Sequence, residues 1–170
     1  ARAQLRVSGE TLKGLEGLVV ETAGLSLRGT GTFAAGNRLD RLELAEVALG
    51  RSRFAGDVRA PARPGAPWVI RMRGPVLDLG PALAEETDTA KPAASAAEPA
   101  SDIVVQGTFD RVLLGGDRFV TAMDGQIRAD GSGVLRQGRV TGRAAGTAPF
   151  DVMVTPRGAG RDLRLTSEDA

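Results

Sequence analysis

Residues 47–79, VALGRSRFAGDVRAPARPGAPWVIRMRGPVLDL, alternate apolar and polar side chains on both sides of a proline-rich break. Phe54, Gly56, Val58 and Ala60 interleave with Arg53, Ala55, Asp57 and Arg59. Beyond the break, Trp68, Ile70 and Met72 interleave with Val69, Arg71 and Arg73. A period of two belongs to a strand with one apolar and one polar face. The cluster from Pro61 to Pro67 cannot continue a hydrogen-bonded ladder, because proline lacks the donor. The stretch therefore reads as two strands of a long hairpin.

The same unit returns further on. Val47, Leu49, Gly50, Arg53 and Phe54 match Val112, Leu114, Gly115, Arg118 and Phe119 at a constant offset. Gly56, Val58, Arg59 and Ala60 then match Gly125, Ile127, Arg128 and Ala129 after a four-residue insertion. The turn-rich Asp130–Gly133 stands where the proline cluster stood. Two copies written in common residues leave duplication and chance alignment evenly matched.

At 170 residues the chain fits one domain or two small ones, and 42% hydrophobic with 25% charged residues is ordinary for a globular protein. Five Phe, one Trp and no Tyr exclude a dense aromatic core, and 23 Gly raise the entropy cost of folding. The net charge of +1 gives no long-range field toward nucleic acid or an anionic membrane surface. The basic residues, nearly all Arg apart from Lys13 and Lys91, are spread singly along strands without a stacking aromatic patch, so no nucleic-acid partner is expected. With no Cys and no His, disulfides, thiolate or imidazole metal sites and imidazole-dependent triads are ruled out. The lack of thiols suits an oxidising periplasm without assigning one. No apolar run of about 18 residues and no signal peptide is present. The start at Ala1 and the closing LTSEDA read as a fragment of something longer, with targeting information outside it.

In chain order, residues 3–7 form a short strand, Thr11–Gly17 is turn-like and Leu18–Thr22 is a second strand. In Leu25–Phe33, Leu25, Leu27, Gly29, Gly31 and Phe33 share one face, and its two glycines predict curvature. Asn37–Gly50 has mixed helical and strand spacing. Its phase slips by one residue near Ala45, as a β-bulge would make it do, and strand is the better reading. Gly80–Glu86 is the one expected helix, with Pro81 in its first turn. Residues 87–101, rich in Ala, Pro, Ser and Glu, form a flexible linker. They separate a first β segment, 1–86, from a second, 102–170, with continuation of the same sheet as one arrangement. Further strands are expected at about 102–114, 118–129, 133–143, 148–155 and 161–166.

Enzyme signatures fail in turn. Gly29-Thr30-Gly31 has no βαβ context for a dinucleotide fingerprint. Ser52 and Ser132 lack the nucleophile-elbow pattern and have no histidine to activate them. Asp40, Glu43 and Glu46 alternate with Arg38 and Arg41, which suits solvated cross-strand pairing better than acid/base catalysis or calcium. Asp117, Asp124 and Asp130 read as turn aspartates. No catalytic residue, cofactor or metal is expected. What remains is one apolar stripe per strand, which composition alone assigns to a β-sandwich core.

A resemblance favours the other arrangement. The runs GNRLDRLELAEVALGRSRFAGDVRA, PWVIRMRGPVLDLGPAL, FDRVLLGGDRFVTAMDGQIRADGSGVLRQGRVTGRA and APFDVMVTPRGAGRDLRLTSEDA resemble the periplasmic part of AsmA-like proteins, most closely the YhdP-type branch, which is related to TamB. The resemblance implies an all-β, antiparallel, strongly curved open sheet with at most one short helix near 80–86, the sandwich being the alternative. It also implies a non-enzymatic, inner-membrane-anchored periplasmic protein. Its hydrophobic β-groove would pass phospholipid toward the outer membrane and so serve outer-membrane biogenesis and lipid homeostasis. The implied partners are phospholipid acyl chains, neighbouring segments of the full-length protein, and the inner membrane through an anchor absent from this chain. The lining would be Leu25, Leu27, Phe33, Phe54, Val58, Trp68, Ile70, Met72, Phe109, Phe119, Ile127, Phe150 and Val152. A structural or protein-binding β-module in envelope assembly is the alternative function.

Overall fold

A computed structural model describes residues 1–8, 11–85, 101–144, 147–158 and 160–167. Eleven strands follow in order: β1 (Arg2–Ser8), β2 (Thr11–Thr22), β3 (Leu25–Ala34), β4 (Arg38–Leu49), β5 (Ser52–Arg59), β6 (Trp68–Asp78), β7 (Ile103–Leu113), β8 (Phe119–Ala129), β9 (Leu135–Ala144), β10 (Ala148–Arg157) and β11 (Gly160–Ser167). A single 3-10 turn at Ala35–Asn37 and a short helix, α1 (Gly80–Glu85), complete the described elements. The linker expected at 87–101 falls almost wholly outside the described residues.

All eleven strands lie in one sheet in sequence order, and β1 and β11 do not pair with each other. This is the open all-β sheet, and a second packed layer, as in a sandwich, is not part of it. Every pairing is antiparallel except β6 with β7, which run parallel from Trp68↔Ile103 to Asp78↔Leu113. The Trp68 N–H donates to the Asp102 carbonyl and the Leu79 N–H to the Leu113 carbonyl, extending the ladder at both ends. A parallel joint needs a crossover longer than a hairpin turn, and α1 lies on that connection.

Residues 11–17 are strand, not turn. Strand β2 is continuous because β1 pairs along its first half and β3 along most of its length. Gly14 pairs in register with Thr32, and Gly17 falls in a register slip between Leu15 and Leu18, where it takes a φ of 59°. Asp124 likewise sits inside β8 rather than in a turn.

The slip expected near Ala45 is present: Leu44 pairs with Gly56 and Val47 with Phe54, so β4 has two residues where β5 has one. Similar slips interrupt β5/β6 between Arg53 and Ala55 and β8/β9 between Thr121 and Asp124, where Ala122 has a φ of 49°. Together they form a seam of bulges beside a row in register containing Gly29, Gly56, Gly107 and Gly125. Bulges bend and twist a strand, and glycines let neighbours lie across the bend. Phe109 leans over Gly107, Val140 over Gly125 and Leu44 over Gly29.

The core is small and sits at this seam. Phe109, Val112 and Val47 are buried. Phe54 and Phe109 meet edge to face, 6.2 Å between ring centroids, across β6. They can do so because Gly74 lies between them, where a Cβ would strike Phe54. Ser52, also buried, accepts the Asp78 N–H at 2.9 Å through its hydroxyl.

Candidate functional site

Strand pairing converts the stripes into two continuous rows, one on each face. On the apolar face Leu5, Leu15, Gly31, Leu42, Val58, Ile70, Val105, Ile127, Gly138, Val154 and Leu163 stand in register from β1 to β11. A row made only of apolar side chains and glycine crosses the whole sheet. It is mostly half-buried between its ends, with Ile127 exposed, and open at the ends, where Leu5 is 62% and Leu163 71% exposed.

The expected lining residues fall around this row. Val58, Ile70 and Ile127 are members of it. Met72 and Val152 belong to the next row, with Leu44 and Val140. Leu27 pairs with Val47, Leu25 with Leu49 and Phe33 with Leu39. Trp68 lies beside Ile103, and the Phe150 ring covers Gly142. Phe54 and Phe109 are spent in the core at the seam. Phe119 is displaced: the extra residue at Ala122 puts Val120 in register with Ala144, leaving Phe119 on the polar face, where the Arg111 guanidinium lies 4.6 Å above its ring.

A hollow opens on the polar side. Its volume is about 1080 Å³, and strands β2 to β8 all border it. Arg28, Thr30, Arg41, Glu43, Asp57, Arg71, Arg73, Gln106, Thr108, Asp124 and Gln126 line it, with the glycine row contributing backbone. Of the thirteen expected lining residues, only Met72 borders this hollow among the described residues.

A ladder of charge and amide runs through the hollow and past it. Arg41 pairs with Glu43 at 2.6 Å, Arg59 with Asp57 at 2.9 Å, and the Arg71 Nη1 stands 3.8 Å from Asp57. The Arg71 Nε donates to Gln106 at 2.8 Å, and the Gln106 amide donates to Gln126 at 2.8 Å. Outside the hollow, Arg139 holds Asp151 at 2.6 Å, which keeps that carboxyl below the ordinary carboxylate range and raises the guanidinium. Asp130, in the β8–β9 turn, is held well below its usual value. The Ser132 hydroxyl is the chief cause, followed by the Val134 N–H.

The alternation put Asp57, Arg71 and Arg73 on polar strand faces but did not assemble them, since the cross-strand partners follow from register. Among the described residues there is no group of three or more Asp or Glu placed to hold a metal ion, and no helix is long and apolar enough to cross a membrane. Neither a family model, nor a curated protein, nor a solved structure matches this chain.

Proposed function

We propose that this chain is a non-enzymatic segment of a periplasmic AsmA-like, YhdP-type protein, and that its apolar face carries phospholipid acyl chains between the inner and outer membranes. The observation that carries the reading is the edge-to-edge apolar row on a single sheet. With ten interstrand steps of about 4.8 Å, the row is about 48 Å long. One leaflet of a bilayer core is about 15 Å thick, so about three acyl chains would fit end to end. Apolar surface of this extent normally marks an interaction site. The resemblance in strand cadence points to lipid as the occupant. The exposed backbone of β1 and β11 favours a second reading, a module that extends its sheet by pairing with neighbouring strands.

Trp68 tests the first reading, as the sole tryptophan and a residue of the apolar face. Phospholipid carrying bromine on its acyl chains should quench its fluorescence, and native mass spectrometry should show co-purified phospholipid. The Ile70→Asp variant should stay folded, because a carboxylate on an open face keeps its water, and should lose both signals. An unquenched Trp68 in a lipid-free parent protein would end the lipid reading and leave the sheet-extending module.

A further inference from the structure

The polar hollow holds more donors than its own acceptors use. Its three carboxylates are occupied: Glu43 by Arg41, Asp57 by Arg59, and Asp124 by the Thr108 hydroxyl at 3.0 Å. Its guanidiniums are only partly used. Arg73 makes no hydrogen bond or ion pair among the described residues. Its register neighbours, Ala55 on β5 and Thr108 on β7, are not carboxylates, and Glu46 and Asp110, which border a smaller hollow beside it, make no ion pair with it. The Arg41 Nε is shut off from solvent without a hydrogen-bond acceptor, and the Asp57 carboxylate stands 4.0 Å from it. Such an atom is uncommon and calls for a partner. Arg71 spends its Nε on Gln106, and its Nη1 is 3.8 Å from Asp57, beyond hydrogen-bonding distance.

We propose that this hollow binds a phosphate group between Arg71 and Arg73. The two residues project from β6 on the same face, their Cα atoms about 6.6 Å apart by strand geometry. Alternation on a strand thus gives two forks facing one space. Ala45 and Ala55 border the same hollow and leave room above Arg73. A guanidinium presents paired donors that match phosphate oxygens, and three anionic oxygens can take donors from both forks. The polar face is the reverse of the acyl-chain face, so the two readings stand or fall separately.

The test is a titration of the intact chain with inorganic phosphate and, separately, glycerol phosphate, at constant ionic strength balanced with chloride. Binding is read from the arginine Nε–H resonances. Saturable shifts with a dissociation constant on the order of 1 mM are expected for one such site. Arg73→Gln should weaken binding at least tenfold without changing the melting temperature, since Arg73 holds nothing in the fold. Asp57→Asn should tighten binding by removing the competing carboxylate. A parallel arm uses phosphatidylglycerol vesicles. A response to soluble phosphate identifies a free phosphate ester as ligand, and a response to vesicles alone, lost in Arg73→Gln, identifies a lipid headgroup. No saturable shift in either arm, or an Arg73→Gln response equal to the parent's, overturns the proposal.

Discussion

Strands β4–β6 and β7–β9 place matching residues at matching points of the sheet. Val47 and Val112 are both buried, Gly56 and Gly125 lie in one row, and Arg71 and Arg139 end equivalent polar rows. An odd number of strands explains the lone parallel joint: a three-strand unit repeated by translation must set its last strand parallel to the first strand of the next. The two units differ in what fills the polar row. Glu43–Asp57–Arg71 in the first is ionic, while Gln106–Gln126–Arg139 in the second carries amides where the first has carboxylates. The backbone geometry is therefore indifferent to that choice. Shape comes from the glycine row and the bulges, and the ladder tunes electrostatics.

The largest expected effect tests whether the units are one cooperative body. Phe54 of the first and Phe109 of the second pack across the joint. Phe109→Ala should lower unfolding stability by about 3–5 kcal/mol, the usual range for a buried phenylalanine. A double-mutant cycle with Phe54→Ala should show coupling of about 0.5–1.5 kcal/mol. Denaturant unfolding followed by far-UV circular dichroism measures both. Two separate transitions, only one of them shifted, would show that the units fold independently.

Next in size is the equivalent glycine. A Cβ on Gly56 would run into the Arg71 carbonyl oxygen, which is backbone and cannot turn aside. On Gly125 it would meet the Val140 Cγ2 at 3.1 Å, a methyl that can yield slightly. Gly56→Ala should destabilise by about 1–3 kcal/mol, as overpacking does, and Gly125→Ala by under about 1 kcal/mol. Equal costs, measured in the same unfolding experiment, would remove the asymmetry.

Much of this was legible from residue order. Alternation marked most strands of the second segment to within two residues, and the phase slip near Ala45 announced its bulge. Thr11–Gly17 misled because Gly14 and Gly17 read as turn formers, whereas pairing with Thr32 holds the first in a strand and a register slip seats the second. Phe119 misled because the bulge at Ala122 has no signature: alanine at positive φ is held there by its neighbours, not by preference. The parallel joint and the polar ladder were hidden for a common reason. Both depend on which strands become neighbours, and periodicity within a strand says nothing of that. The hollow's arginines looked like solvated single charges until register placed them around one space.

A smaller effect separates the two ladders. Asp57 has Arg59, Arg71 and Arg41 within 4.0 Å, so Asp57→Asn leaves guanidiniums facing one another. For a partly solvated network this should cost about 1 kcal/mol or less. In the second unit Gln126→Glu would still accept the Gln106 amide and gain a charge opposite Arg139, adding a few tenths of a kcal/mol. Both differences should shrink in 1 M salt, where the screening length is about 3 Å. Effects that persist there would mean the ladder works through packing or hydrogen-bond geometry rather than charge.

The smallest effect is a response to acid, and it should begin beside β9. Asp130 and Asp151 have folded-state values below the ordinary carboxylate value, the first through the Ser132 hydroxyl and the second through Arg139. A depressed carboxylate stabilises the fold fully above its unfolded value of about 3.9 and loses that contribution as pH falls through the lower folded value. Both side chains are at the surface, so the loss should be gradual and local. Hydrogen exchange, corrected for intrinsic rates, should show amides of β9 and β10 losing protection below about pH 4 before those of β4–β6. Asp151→Asn should lower protection at β10 at neutral pH and flatten its change with acid. Loss of protection starting in β4–β6 would locate the acid-sensitive carboxylates in the first unit and reverse the comparison.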